Sequence, residues 1–117
     1  AELPYVTPGA RTIDAEGLVK LSAEKRQLQI FDARITEDRK LGYISTSISL
    51  PDIETDCASL AQIAPEKSLP LAFYCNGIKC GRSGRAAVIA VNCGYTHIYW
   101  YRNGMEEWQE KEFPLVQ

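Results

Sequence analysis

"PLAFYCNGIKCGRSGRAAVIAVNCGYTHIYWY" (residues 70–101) is the stretch that decides the fold. Pro70 to Cys75 is a short, continuously apolar run, the pattern of a strand buried on both faces. A polar loop with two glycines and a second cysteine, Cys80, follows it. Ser83 to Cys93 is rich in alanine and spaced as a helix, with Gly94 as its C-terminal stop. Thr96 to Tyr101 is β-branched and aromatic, hence another strand. Strand, loop, helix, strand is a βαβ unit, and such a crossover joins parallel strands.

The pattern repeats on either side. Residues 1–11, with Pro4, Pro8 and Gly9, read as an irregular lead-in, and 12–117 as one domain. Thr12 and Ile13 form a short strand. Asp14 caps a helix whose apolar face is Leu18, Val19 and Leu21. "LQIFDA" (28–33) is a buried strand, "EDRKLGY" (37–43) a short charged helix ending near Gly42, and "SISL" (47–50) a strand stopped by Pro51. "DIETDCASLAQIA" (52–64) carries Cys57, Leu60, Ile63 and Ala64 at helical spacing. After the turn at 102–104, "MEEWQEKE" (105–112) closes the chain as a helix terminated by Pro114. Strands alternating with helices define an α/β domain with a mostly parallel sheet. Ligands of such sheets sit beyond the carboxyl ends of the strands, where Cys75 falls.

The 117 residues suit one compact domain. No apolar run approaches the roughly 18 residues of a membrane span. No leader is visible, which says nothing about compartment in a chain that opens at Ala1. A net charge of −2 argues against nucleic acid as a partner. The distribution of charge is more telling. Between Glu66 and Glu106 there is no acidic residue, while Lys67, Lys79, Arg82, Arg85 and Arg102 all fall there. A positive field around the loop favours an anionic ligand or a thiolate. Four cysteines are too few for a disulfide scaffold at this length, so the core is expected to stand without staples, one local bridge remaining possible. Cys57 and Cys93, on apolar helix faces, are expected as core thiols.

Cys75 is the candidate catalytic residue. A helix N-terminus and nearby cations lower a thiol's pKa and make it a nucleophile. The helix starting near Gly81 to Ser83 aims unpaired N–H groups at the loop. Gly77 and Gly81 allow further amides to form an anion nest. The expected anion-binding loop is therefore Asn76, Gly77, Ile78, Lys79, Cys80, Gly81, Arg82 and Ser83. A Cys-x4-Cys pair and a lone His97 fall short of four zinc ligands, so neither metal nor cofactor is expected. Trp100, Tyr101 and Trp108 are expected in packing, and Asp32 and Arg34 as a pair holding loops at the strand end.

From about residue 12 to 115 the chain resembles the rhodanese-like domains. "IFDAR" (30–34) looks like the family's strand ending in Asp-x-Arg. "GYISTSISLP" (42–51) looks like Gly-His-Ile-Pro-Gly-Ala-x-x-x-Pro, with Tyr43 in place of the usual His. Gly94, Tyr95, Gly104, Trp108 and Pro114 match the closing pattern. The resemblance implies a three-layer α/β fold and a sulfurtransferase. Cys75 takes sulfane sulfur from a small anionic donor such as thiosulfate, holds it as a persulfide, and yields it to a thiol, cyanide or protein acceptor.

The loop departs from the family's pattern. Cys80 stands where an Arg or Ser usually lies, and Arg82 comes two residues later. Phosphatase-like and arsenate reductase-like relatives use Cys-x5-Arg, whereas Cys75 and Arg82 are separated by six residues. Cys80 is either a small apolar loop residue or a resolving thiol for Cys75. "CNGIKC" (75–80) resembles loops of exported members, which favours a periplasmic over a cytoplasmic home. Three alternatives to the sulfurtransferase stay open: a phosphatase or arsenate reductase, a thiol redox element using Cys75 and Cys80, and a non-catalytic interaction module.

Overall fold

The computed structural model describes residues 8–117. In chain order these form β1 (Ala10–Ile13), α1 (Ala15–Glu24), β2 (Gln29–Asp32), a 3-10 helix (Thr36–Leu41), β3 (Tyr43–Ile44) and β4 (Ile48–Ser49). A second 3-10 helix (Asp52–Glu54), α2 (Cys57–Ile63), β5 (Leu71–Tyr74), α3 (Arg82–Asn92), β6 (Ile98–Tyr101), α4 (Gly104–Glu110) and β7 (Leu115–Val116) complete the chain. Five strands form a parallel sheet in the order β1-β6-β5-β2-β4. The expected α/β fold, a parallel sheet flanked by helices, is the fold observed.

β5 is buried at every position because it lies at the centre of that sheet. Side chains alternate across the sheet, as the pleat requires. Phe31 and Phe73, stacked with centroids 5.1 Å apart, face α2 and α3 through Leu60, Ala86, Ala87 and Ala90. Ile30, Ala72, Tyr74 and Tyr101 face α1 and α4 through Leu18, Leu21, Met105 and Trp108. The alanines of α3 let its backbone come close to the sheet, and a Cβ at Gly84 would lie 3.3 Å from the Trp100 ring. Burying an aromatic or Leu side chain contributes about 1.5–3 kcal/mol, so these two apolar layers back the β2–β5 pairing that sets the carboxyl ends of the two strands side by side.

Several expectations are adjusted. Of the lead-in expected over 1–11, residues 1–7 lie outside the described residues, and β1 starts at Ala10 rather than Thr12. Val19 is 47% exposed, and Ala15 takes its place on the buried face of α1. The helix expected over 52–64 breaks in two. Asp56 caps α2 in a capping box with Ser59, its Oδ1 accepting from the Ser59 amide at 2.7 Å. Tyr43–Ile44 pairs antiparallel with Leu115–Val116, a pairing too short to leave a pattern in the sequence. Thr46, in the turn between β3 and β4, has a φ of 70°, which strains a β-branched side chain. It occupies the place of the family's second Gly in the resemblance above.

The largest correction concerns the cysteines. Cys57 and Cys93 are joined in a disulfide, with Cα atoms 5.4 Å apart, and are not core thiols. The first residue of α2 meets the C-terminal cap of α3, and Cys57 is exposed. The fold is stapled after all.

Candidate active site

The carboxyl ends of β2 and β5 are tied by a buried polar hub on Asp32. Its Oδ1 accepts from the Arg34 amide (3.1 Å) and Arg34 Nε (2.9 Å). Its Oδ2 accepts from Arg34 Nη2 (2.8 Å), Arg39 Nη1 (3.0 Å) and the Tyr74 hydroxyl (3.1 Å). Arg34 Nη2 also donates to the Gly42 carbonyl (2.9 Å) and Arg39 Nη2 to the Ser47 carbonyl (2.9 Å). Arg39 stacks over the Tyr43 ring at 3.7 Å, so Tyr43 packs the turn. Burial and the nearby Asp32 charge push the Tyr74 phenol up to about 12, so it remains a proton donor at neutral pH. Burial opposes the charge of Arg34, yet the hydrogen bonds and attraction of Asp32 hold its guanidinium above its ordinary value. Two cations and a phenol around one carboxylate satisfy a group that could not be buried alone.

This hub reaches the loop after β5. Arg34 Nη1 donates to Asn76 Oδ1 (3.4 Å), and Asn76 Nδ2 donates to Asp38 (3.3 Å). From the other side α4 clamps the same residues. The Met105 amide donates to the Cys75 carbonyl (2.9 Å) and the Glu106 amide to the Asn76 carbonyl (2.8 Å). Gly104 makes this approach possible. Its φ is +61°, and a Cβ there would lie 2.3 Å from the Cys75 carbonyl oxygen.

Gly77 to Cys80 then forms a turn closed by the Cys80 amide on the Gly77 carbonyl (3.0 Å), with Ile78 and Lys79 exposed at its tip. Neither Gly77 nor Gly81 has a positive φ, and Gly81 sits at φ −85°. The left-handed backbone that their conformational freedom would allow is therefore not used. Gly77 is needed for space instead: a Cβ there would come within 3.1 Å of Glu106 Oε2. α3 begins at Arg82 with no side-chain cap on its first turn. Ser83 turns inward, its hydroxyl accepting from Trp100 Nε1 at 2.9 Å.

Cys75 lies one residue past β5, fully buried, and is bridged to Cys80, with Cα atoms 6.2 Å apart. The free, ionised thiol expected at this position is thus held as a disulfide, and the possible local bridge is present. The basic window is also altered by residues from outside it. Asp52, fully buried, accepts from Arg82 Nη1 at 2.7 Å and from Arg85 Nη1. Glu106 lies against Gly77. Arg82 and Arg85 nevertheless keep 38% and 62% of their side chains exposed, and two cations on one carboxylate leave a net positive charge at the start of α3.

Asp52, Asp38, Tyr74 and Glu106 were not picked out from the sequence. Tyr74 sat inside the apolar run of β5 and read as core. The three acids are remote from the loop in sequence and carry no motif. His97, given no catalytic role, lies on the surface with its ring Nδ1 3.0 Å from the Thr96 hydroxyl.

The profile of the rhodanese-like domain family matches residues 14–111. The chain belongs to that family. The BH2092 protein of Bacillus halodurans superposes with a TM-score of 0.79 at 20% identity, over 92% of this chain and 77% of that one. The human single-domain sulfurtransferase TSTD1 matches at 27% identity with a TM-score of 0.71, over 88% of this chain and 98% of that one. A thiosulfate sulfurtransferase from Pseudomonas aeruginosa is 24% identical with a TM-score of 0.76, over 92% of this chain but 20% of that one. No curated protein sequence matches significantly. Among the described residues no helix is long and apolar enough to cross a membrane.

Proposed function

We propose that this chain is a sulfurtransferase that carries sulfane sulfur as a persulfide on Cys75, once the Cys75–Cys80 bridge is opened. The observation that carries the reading is the position of Cys75. It follows the central strand directly and precedes an uncapped helix N-terminus, whose first-turn amides stabilise negative charge. Arg82 and Arg85 add positive charge at the same helix end. The family includes thiosulfate sulfurtransferases, and the human neighbour is a single-domain one.

The chemistry takes two steps. The Cys75 thiolate attacks the outer sulfur of thiosulfate, forming an S–S bond while sulfite leaves with the electron pair. A thiol or cyanide then attacks the terminal sulfur, and Cys75 leaves as thiolate. Covalent catalysis of this kind gives ping-pong kinetics. The loop is less suited to a phosphate ester, because Asp52 already accepts from the Arg82 guanidinium that would bind it.

The experiment is intact-mass analysis of the reduced protein after thiosulfate. One added sulfur atom is expected, absent in Cys75→Ser, together with thiocyanate formation from cyanide. A reduced chain that gains no sulfur would remove the reading. The thiol redox alternative is favoured by one observation, the bridge itself. It predicts that the dithiol and disulfide forms interconvert with protein or small-molecule thiols without sulfane transfer.

A further inference from the structure

Resting on the reading of Cys75 as a sulfur carrier, we propose that the bridged loop is itself a sulfur-accepting state, charged directly by inorganic hydrosulfide. The two sulfurs of the bridge differ in access. Cys75 is fully buried, while Cys80 is partly exposed and follows the exposed Lys79 at the tip of the turn. An incoming anion therefore meets Cys80, and Cys75 is the leaving group. That direction is also the favourable one chemically. A leaving thiolate departs faster when it is stabilised, and the loop that Cys75 opens leads into the uncapped start of α3, where Arg82 and Arg85 add positive charge.

The step balances. The hydrosulfide sulfur forms a bond to Cys80 Sγ, and the Cys75–Cys80 bond breaks. The incoming sulfur is oxidised to the sulfane level, and the bridge takes the two electrons, which appear on the Cys75 thiolate. The proton stays on the terminal sulfur. The Cys75 thiolate then attacks that sulfur, Cys80 leaves and recovers the proton, and the persulfide rests on Cys75. One hydrosulfide is consumed per bridge, and the bridge is the only oxidant. A larger thiol attacking in the same way gives a mixed disulfide rather than a persulfide, so the donor class is inorganic sulfide.

The second bridge makes this route useful. Cys57–Cys93 lies at the far end of α3, about 16 Å from the loop for an 11-residue helix. An environment that keeps it closed also favours closure of Cys75–Cys80, the form that thiosulfate cannot load. Hydrosulfide turns that form into a charged carrier without a separate reduction.

The test uses the full chain with both bridges closed. It is exposed to sodium hydrosulfide, trapped with iodoacetamide and mapped by peptide mass. One extra sulfur on Cys75 or Cys80, none on Cys57 or Cys93, and thiocyanate on adding cyanide are expected. Cys80→Ser, which cannot close the bridge, should lose this uptake entirely. An unchanged chain, a loop alkylated on both thiols without extra sulfur, or equal uptake at Cys57 and Cys93 would each overturn the proposal. The reduced chain with thiosulfate runs in parallel. Loading there without loading by hydrosulfide overturns this step and leaves the sulfurtransferase reading standing. Loading by hydrosulfide alone upholds this step and overturns thiosulfate as donor.

Discussion

Removing the Cys57–Cys93 bridge gives the most quantitative check on how this fold is held. The residues are 36 apart in sequence. In the chain-entropy treatment a loop of that size contributes roughly 4 kcal/mol at 25 °C, through the freedom it denies the unfolded chain. Packing adds little to the loss in Cys57→Ala/Cys93→Ala, since Cys57 is exposed and Cys93 only partly buried against the core. Unfolding entropy for 117 residues is about 0.25 kcal/mol per degree, so the expected fall in Tm is about 15 °C. Urea denaturation should show the same loss as a lower midpoint. Loading of the reduced double variant by thiosulfate should be unchanged, because the bridge lies at the opposite end of α3 from Cys75. A fall of less than about 5 °C, equivalent to roughly 1 kcal/mol, would refute the reasoning. It would mean either that the two thiols stay free in the folded protein or that the unfolded chain already keeps them together.

Asp52→Asn should lower stability by roughly 1–3 kcal/mol by removing a buried charge partner of Arg82 and Arg85. The same variant should lower the KM for thiosulfate about two- to fivefold at low salt, with the gain vanishing at high salt, because both guanidinium groups are released toward an anionic donor. Gly104→Ala should destabilise by at least about 2 kcal/mol and abolish loading of Cys75, since left-handed backbone and a Cβ lodged on the Cys75 carbonyl act together. Thermal unfolding and intact mass check both effects. Thr46→Gly should instead raise stability by about 0.5–1 kcal/mol, the relief of a positive φ outweighing the added freedom of the unfolded chain; a lower urea midpoint would contradict it.

The residues that announced themselves in the sequence were those whose partners are close in the chain or repeat with a period. The apolar run before Cys75, short and opened by Pro70, reads as a buried strand, and Gly94, with a φ of +96°, stops α3 as its position suggests. What stayed hidden depends on contacts between distant segments. Cys57 and Cys93 have helical apolar spacing, which is also how core thiols look, and nothing local shows that the ends of α2 and α3 meet. The acid-free window around the loop was real as sequence, but a carboxylate 30 residues upstream, Asp52, enters it in space. In the sequence Gly77 and Gly81 suggest backbone freedom, whereas packing against α4 explains Gly77. Gly104 was recognised through its place in a family pattern, and its physical reason appears only when α4 is docked on the Cys75 carbonyl.

The two bridges suit different tasks because they close loops of different size. The Cys75–Cys80 bridge spans five residues, for which the chain-entropy contribution is about 2 kcal/mol, half that of the longer bridge. The loop it closes is also held independently. Asn76 is tied to Arg34 and Asp38, and the Cys75 and Asn76 carbonyls are tied to α4. Opening the short bridge therefore removes a modest constraint from a segment whose backbone stays anchored on both sides. Opening the long one loosens the joint between α2 and α3, on which one face of the core rests. A protein built this way can open and close its loop disulfide while the staple keeps the sheet and helices in place. Selective reduction should then leave the cooperative unfolding transition intact and make Cys75 reactive.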